Sequence, residues 1–453
     1  MEEVRVEEIV EFISKLVQEK NFRELRSRLD ELYPMDIAEA FDELPPRDCV
    51  VTFRVLKKDK AADVFSYMST QRRKDIVGAI NDKLLGFIID ELNFDDLIDF
   101  LEEMPANFVK SAIAAVPAEE RGLINQFLNY KDNSAGSLMT IEYVDLDKNL
   151  TVRQALDRIK AVGMDKETVY TCYVLDDTRG LEGNISLRKL VLSEEDMLIS
   201  EIMNRDCVRC ETADDQEEVA DLFKRYDLIA IPVVDAENRM IGIITIDDIV
   251  DVIEEENTED FLKMAAIAPS DEGYMETRAP VLAKRRIPWL MVLMISAIFT
   301  GSIIGYYEDL LSTMAMLAIF IPLLMDTAGN AGAQSSTLVI RGIALGEIER
   351  RDLPKVIWKE LRVGLIAGAA LAAVNFLLRF IIFGDPIVLI ITVNATLILT
   401  VVIAKLLGCM LPVVADFFKM DPAVMSAPLI TTIADALALL LYFGIASVLI
   451  FGL

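Results

Sequence analysis

Two carboxylates stand alone in apolar sequence towards the end of the chain. They are Asp326 in "PLLMDTAGNAGAQSSTLVIRG" (322–342) and Asp435 in "PLITTIADALALLLYF" (428–443). A charged side chain at the centre of a bilayer costs roughly 3 kcal/mol or more, so such a residue normally faces a bundle interior or a water-filled path. Arg379, near the end of a span, is the one basic residue expected within the spans, which leaves an ionised Asp435 without a counter-ion in the chain. A permeating cation would supply it. Gly329, Asn330 and Gly332 fit helix–helix packing with interhelical hydrogen bonds equally well. The chain has no histidine, and its five cysteines (Cys49, Cys172, Cys207, Cys210, Cys409) are scattered and expected as reduced thiols. "CVRC" (207–210) has metal-ligand spacing but no second pair. Divalent-metal chemistry must therefore use oxygen ligands, which suit magnesium, calcium or manganese.

These carboxylates need membrane helices to hold them. Apolar stretches of about 20 residues, enough to cross the hydrocarbon core, fall near 288–307, 310–330, 360–383, 387–412 and 426–451, which predicts five spans. Lys284, Arg285 and Arg286 precede the first, and "RGIALGEIERRDLPKVIWKELR" (341–362) joins the second to the third. This excess of basic residues places both segments, and the long N-terminal region, in the cytoplasm, with the C-terminus outside. The N-terminus "MEEVRVEEIVEF" is acidic and lacks an apolar h-region, so no cleavable signal is expected.

From Arg285 onward there are 11 basic and 11 acidic residues, so the whole net charge of −28 belongs to residues 1–284. Such a surface repels nucleic acid and anionic headgroups and attracts cations, although charge runs commonly mark nothing more than solvated faces. Within it, Leu44-Pro45, Met68-Ser69, Leu92-Asn93 and Val116-Pro117 recur every 24 residues, with Leu56, Ile80, Met104 and Leu128 halfway between. This is the pattern of a helix–turn–helix solenoid, in which each pair buries its apolar face on its neighbour. From Gly136 to about Glu256 a mixed unit occurs twice. "GSLMT" (136–140) answers "SEIMN" (200–204), "CYVLDD" (172–177) answers "IPVVDA" (231–236), and "LEGNISLRKLV" (181–191) answers "MIGIITIDDIV" (240–250). Each copy reads as helix, β-branched strand, turn, second strand and a helix capped by Ser186 or Thr245. These copies are similar to paired CBS domains, which often bind adenosine nucleotides. Asp248, three residues after Thr245, stands where many CBS domains meet a ribose, whereas the first copy has Lys189 there.

An acidic helical repeat, a CBS pair, a charged linker and five spans, with the 322–342 motif ending the second, together resemble the MgtE family of magnesium channels along essentially the whole chain. The resemblance implies a multidomain membrane protein. Its parts are an all-α helical-repeat domain (1–131), α/β tandem CBS domains (132–200 and 201–257), a connecting plug helix (258–284) and a five-helix transmembrane bundle (285–453). It implies a homodimer in the cell's inner membrane that imports Mg2+ down its gradient, with Asp435 meeting its twin across the axis to hold a hydrated magnesium ion. Two carboxylates with backbone carbonyls freed near Pro428 could select that ion without stripping its water. Asn330 and Gln334 would support the pore wall. The resemblance also implies a sensor, in which Asp95, Asp96 and Asp99 on the repeat face Asp247, Asp248 and Asp251 on the CBS pair. Asp63 would join Asp227 and Asp251, and Glu256, Glu259 and Asp260 would begin the connecting helix. Asp95 and Asp99 are one helical turn apart and can converge on one ion. Magnesium bound there would close the pore.

Two other readings use the same features. One is a CBS-regulated transporter or exporter of another divalent cation, for which interrupted spans also serve. The other is an intramembrane aspartyl protease with Asp326 and Asp435 as its dyad. Neither aspartate lies in a "GxGD" arrangement, and a protease has no need of so large an acidic region.

Overall fold

The computed structural model describes every residue except 1, 81, 106–107, 110–111, 114–117, 270–273, 275–276, 345, 419, 423–426 and 453. The expected break at Val116-Pro117, part of the connecting segment, and Met425 and Ser426 before the fifth span lie outside the described residues. The chain divides into two compact units, residues 1–253 and 254–453.

The first unit opens with short helices at the predicted period. These are α1 (Glu2–Gln18), α2 (Phe22–Glu31), α3 (Pro34–Glu43), α4 (Pro46–Phe53), α5 (Lys58–Ser66), α6 (Thr70–Val77), α7 (Asp82–Glu91), α8 (Phe94–Glu102) and α9 (Ala118–Phe127). Starts at 34, 58 and 82, and at 46, 70, 94 and 118, repeat every 24 residues. Proline opens α3 and α4 at the first helical position, where a missing N–H costs nothing. Phe53, Phe65 and Phe100 form the spine of the core, with centroids 6.2 and 5.1 Å apart, and Phe94 meets Phe127 edge-on at 4.7 Å. Such pairs add about 0.5–1.5 kcal/mol each beyond their buried area. Basic side chains stitch successive repeats by covering orphan helix-end carbonyls. Arg72 donates to the carbonyls of Asp42 and Leu44, both at 2.7 Å, and Lys60 to those of Asp30 and Leu32.

Two three-stranded sheets follow, β1–β2–β3 (Asp145–Asp147, Thr171–Leu175, Leu181–Ser186) and β4–β5–β6 (Cys210–Glu211, Ala230–Val234, Met240–Thr245). In each, the first pair is parallel and the second antiparallel. Helices α10 (Val152–Val162) and α11 (Leu187–Leu192) accompany the first sheet, and α12 (Gln216–Tyr226) and α13 (Ile246–Met264) the second. Ser186 caps α11 as expected, accepting from the Lys189 N–H at 3.3 Å. The copies interlock, because Thr140 ahead of the first bridges to Ile243 of the second. Tyr143, Tyr173 and Leu181 pack with Val234, Met240 and Ile243 into one cluster.

Among the described residues the second unit holds five helices long and apolar enough to cross a membrane: Ala279–Tyr306, Ala315–Ala344, Leu353–Phe383, Ile387–Ala415 and Pro428–Ile450. The second differs from the expected 310–330. Its continuous α-helix runs Ile321–Ala344, so the polar motif is the body of the span rather than its end. Glycine, serine and glutamine lower local hydropathy without weakening a helix whose neighbours satisfy them. The connecting helix also differs. α13 runs unbroken out of the second CBS copy only to Met264, Ala266 takes a left-handed φ of 55°, and the next helix starts at Ala279 and already contains Lys284. Small residues bring the spans together: a Cβ on Gly364 or Gly368 would lie 3.0 Å from Val402 or Ile398 of the fourth span.

Candidate functional site

The second span presents two faces. Ala328, Gly329, Ala331, Gly332, Ser335 and Ser336 are buried, with Gly329 against Thr431 and Gly332 against Ile430 and Ala404. Asp326, Asn330 and Gln334, each four residues from the last, are exposed and share the other face. A run of three polar side chains at membrane depth does not belong in lipid. On the fifth span Asp435 is half-buried, and its Oδ1 is enclosed without a hydrogen-bond partner among the described residues. Asp326 is its electrostatic neighbour. The expectation that Arg379 is the sole basic residue within the spans fails, because Lys405 lies in the fourth span and is 6% exposed. It donates to Ser335, whose hydroxyl donates to Glu360. Arg379 pairs with Asp385 at 3.6 Å.

In the first unit, the N-terminus of α8 and that of α13 bring acids together. Asp95 and Asp96 occupy the first turn of α8, and Asp247 and Asp248 that of α13. Burial, then the charge of Asp95, pushes Asp248 up to about 7, and burial, then Asp96, pushes Asp95 up to about 6. Asp96 also stands at about 6 through burial, with Arg73 opposing the rise and Asp248 and Asp247 adding to it. Asp99, although part of it reaches solvent, is raised to about 7 by desolvation, then Asp95, Glu102, Asp96 and Asp248. Two acids from the first CBS copy complete the group. Glu167 is raised to about 7 by burial, then Asp95, Asp247 and Asp248, and it accepts from the Asn93 amide at 2.8 Å. Glu142 accepts from the Phe94 N–H at the start of α8 and is raised by burial. Among the described residues, Arg73 opposes the rise at Asp96 and Lys166 that at Glu142. No three of the described acids are close enough to hold a metal ion as they stand. The cluster is a field of like charge rather than a finished cage.

The remaining expected ligands are Asp63, Asp227, Asp251, Glu256, Glu259 and Asp260. Asp63 is exposed, and its charged neighbours are Asp59 and Lys60 rather than Asp227. Asp227 is the left-handed C-cap of α12. Asp251 is exposed on α13. Further along α13, Lys263 bonds Glu259 at 2.6 Å and Asp421, beyond the fourth span, at 2.7 Å. Asp260 is raised by burial and then by Asp421, with Glu256 adding to the effect. Asp248, weighed as a ribose contact, accepts from the Thr245 hydroxyl at 2.8 Å and closes the cap of its own helix.

Three family matches cover the chain in order: MgtE intracellular N domain over residues 32–133, CBS domain over 199–255, and MgtE, described as a divalent cation transporter, over 321–445. Magnesium transporter MgtE of Thermus thermophilus is 36% identical over 450 residues, covering 98% of this chain and 99% of the relative. The chain belongs to the MgtE family of magnesium transporters. The Bacillus subtilis MgtE is 33% identical over 447 residues, with 99% and 98% covered. The solved cytosolic domain of a Mg2+ channel MgtE in complex with ATP is 34% identical, with a TM-score of 0.52, covering 53% of this chain and 98% of that one. An MgtE protein is a multi-pass membrane transporter and not an enzyme, which disposes of the protease reading.

Within this MgtE chain, sequence reading missed Glu142, Glu167, Asp421, Glu360 and Lys405. Lys405 carried a signal, a lone charge in "AKLLGCMLP". The acids carried none, because their neighbours come from distant segments.

Proposed function

We propose that this MgtE protein is a magnesium-selective channel, working as a homodimer that imports Mg2+ down its electrochemical gradient and closes when cytoplasmic Mg2+ is plentiful. The reading rests on one observation: Asp326, Asn330 and Gln334 form an exposed polar stripe at membrane depth, beside an Asp435 whose buried oxygen has no partner among the described residues. A second copy facing that stripe would cover it and enclose a wet path lined by oxygen atoms. Magnesium keeps its hydration shell reluctantly exchanged, so carboxylate and amide oxygens contacting its waters suit it. Asp435 is the ion-holding residue, and the amides of Asn330 and Gln334 line the wall.

The acidic cluster is the sensor. Seven carboxylates with two opposing cations repel while bare, and an oxygen-coordinated cation drawn between Asp95, Asp99, Asp248 and Glu167 offsets that repulsion. The closed state is favoured by whatever differential occupancy the ions have between states. Basic residues flanking the first span and joining the second to the third support a cytoplasmic position for this region. The same negative field is a poor place for a nucleotide's phosphates, so no nucleotide is assigned to Asp248. The deciding experiment is Mg2+ flux into proteoliposomes with internal Mg2+ varied. Flux that falls as internal free Mg2+ rises, beyond what the reduced gradient explains, supports the reading. Its absence, or flux that needs a coupled ion, overturns it.

A further inference from the structure

A charged chain of hydrogen bonds lies inside the membrane helices, away from the polar stripe. The Lys405 ammonium, 6% exposed on the fourth span, donates to Ser335 Oγ at 3.3 Å, and that hydroxyl donates to Glu360 Oε2 of the third span at 2.5 Å. Ser335 is fully buried on the second span. Its hydroxyl accepts from one ion and donates to the other, so the opposite charges polarise it from both sides. One turn away, the second and fourth spans meet backbone to backbone, where a Cβ on Gly408 would collide with the Gly332 carbonyl. Ionisable groups in membrane helices are rare, and they face the interior and pair with one another. Here the pairing grips the buried face of the helix whose opposite face carries Asp326, Asn330 and Gln334.

We infer that Lys405, acting through Ser335 and Glu360, is a positioning group of the transport path: it fixes the rotation of the second span that aims the polar stripe. The pairing also makes Glu360 unavailable as a cation ligand, since the chain's own ammonium neutralises it. This inference rests on the proposal that the stripe lines the path. The residues differ from those that would meet the ion, so the two can fail separately.

The test uses the full-length protein in proteoliposomes, with Mg2+ uptake read by an entrapped indicator and folded protein quantified by size-exclusion chromatography. Lys405→Met leaves the half-buried Glu360, and Glu360→Gln the buried Lys405, without its opposite, and each lowers uptake roughly tenfold or more. The double variant Lys405→Met/Glu360→Gln removes both charges and recovers uptake to within about threefold of wild type, the non-additivity expected of a coupled pair. Ser335→Ala keeps both charges and breaks the bridge. It changes the ratio of Mg2+ to Ca2+ uptake, because the stripe is no longer aimed, a readout that simple loss of folded protein does not move. A folded double variant as inactive as the single ones overturns the inference, since one of the residues then meets the ion directly. Single variants with wild-type uptake, or Ser335→Ala with an unchanged ratio, also overturn it. Where a single variant does not accumulate, the double must, and a double that also fails to fold counts against the pairing. Wild-type protein without Mg2+ uptake would instead sink the proposed function.

Discussion

Removing one charge from the acidic cluster should stabilise its magnesium-free form, which is the opposite of what loss of a structural contact does. Asp248 is held at about 7 against an ordinary 3.8. At 1.36 kcal/mol for each pH unit, its ionised form carries a penalty of about 4 kcal/mol at neutral pH. Burial is the first cause and the Asp95 charge the second. Each pH unit by which loss of the Asp95 charge lowers Asp248 is worth about 1.4 kcal/mol, so Asp95→Asn relieves on the order of 1 kcal/mol. Asparagine keeps an oxygen for the Asp96 N–H that Asp95 now accepts at 3.0 Å, so the start of α8 survives. In a region of this size 1 kcal/mol moves Tm by about 2–4 °C. Calorimetry on residues 1–260 in chelator should therefore show a higher Tm for Asp95→Asn than for wild type. Isolated regions of this kind are known to fold, as the solved soluble part of a magnesium transporter, 30% identical with a TM-score of 0.52, demonstrates. Adding Mg2+ should raise the wild-type Tm by mass action and the variant's by less, because a ligand is gone. A variant with a lower magnesium-free Tm and the full magnesium increment would refute the reasoning and leave the cluster as solvated surface.

Asp435→Ala should abolish Mg2+ uptake while leaving the folded yield unchanged, since it removes the carboxylate without adding bulk; normal uptake in flux assays would remove this residue from the path. Asn330→Leu should reduce uptake several-fold with little loss of stability, because the position is exposed within the single chain and the change makes the face apolar; a flux titration checks it. For pH, the raised acids bind more protons folded than unfolded. Their contribution to stability is complete below about pH 4, the ordinary carboxylate range, and is lost as pH rises through about 6 to 7. The chelated 1–260 region should thus lose Tm between pH 5.5 and 8, and Mg2+ should flatten that slope; a parallel shift at every pH would contradict the cluster's role. Neutralising Asp95, Asp248 and Asp251 together should let the channel conduct, in patches with the cytoplasmic face exposed, at Mg2+ levels that silence wild type; closure at the same concentration would sink the regulatory account.

The solenoid was legible because its punctuation is local. The breaks at Leu44-Pro45, Met68-Ser69 and Leu92-Asn93 act within a few residues of chain, and α4, α6 and α8 begin just after them. The longer strands were equally plain from β-branched runs, but β1 and β4, three and two residues long, carry no periodicity to read. The second span was placed too early because hydropathy averages against "GNAGAQSS", whose small residues are what let it pack. At the candidate sensor, Asp95 and Asp248 could be named from the family's order of motifs. Glu142 and Glu167 could not, since only the docking of the first CBS copy on α8 brings them there. The grouping of Asp63 with Asp227 was an expectation of long-range contact, and the charges that shift Asp63 are those of Asp59 and Lys60 on its own helix.

Where this chain keeps a carboxylate permanently neutralised, it spends a side-chain cation of its own. Lys405 serves Glu360 through Ser335, Arg379 serves Asp385, and Arg73 serves Glu103. Lys263 bridges Glu259 and Asp421 in the same way. Each of these pairs is a fixed joint between two segments, and none needs a solute to hold it. Two places are handled differently. Among the described residues, the Asp326–Asp435 neighbourhood has no such basic group hydrogen-bonded to it, and the cluster around Asp248 has seven acids with Arg73 acting on Asp96 and Lys166 on Glu142. An isolated negative field in membrane or protein interior is costly, and a lysine can offset it, as Lys405 does at Glu360. Leaving the charge uncompensated makes the local free energy depend on an external cation, and a small divalent ion with oxygen preference meets that demand with two charges at once. The static joints and the cation-dependent sites are thus distinguished by who brings the positive charge. On that criterion the proposed path and the proposed sensor would answer to the same ion, and the variants above test whether its concentration couples them.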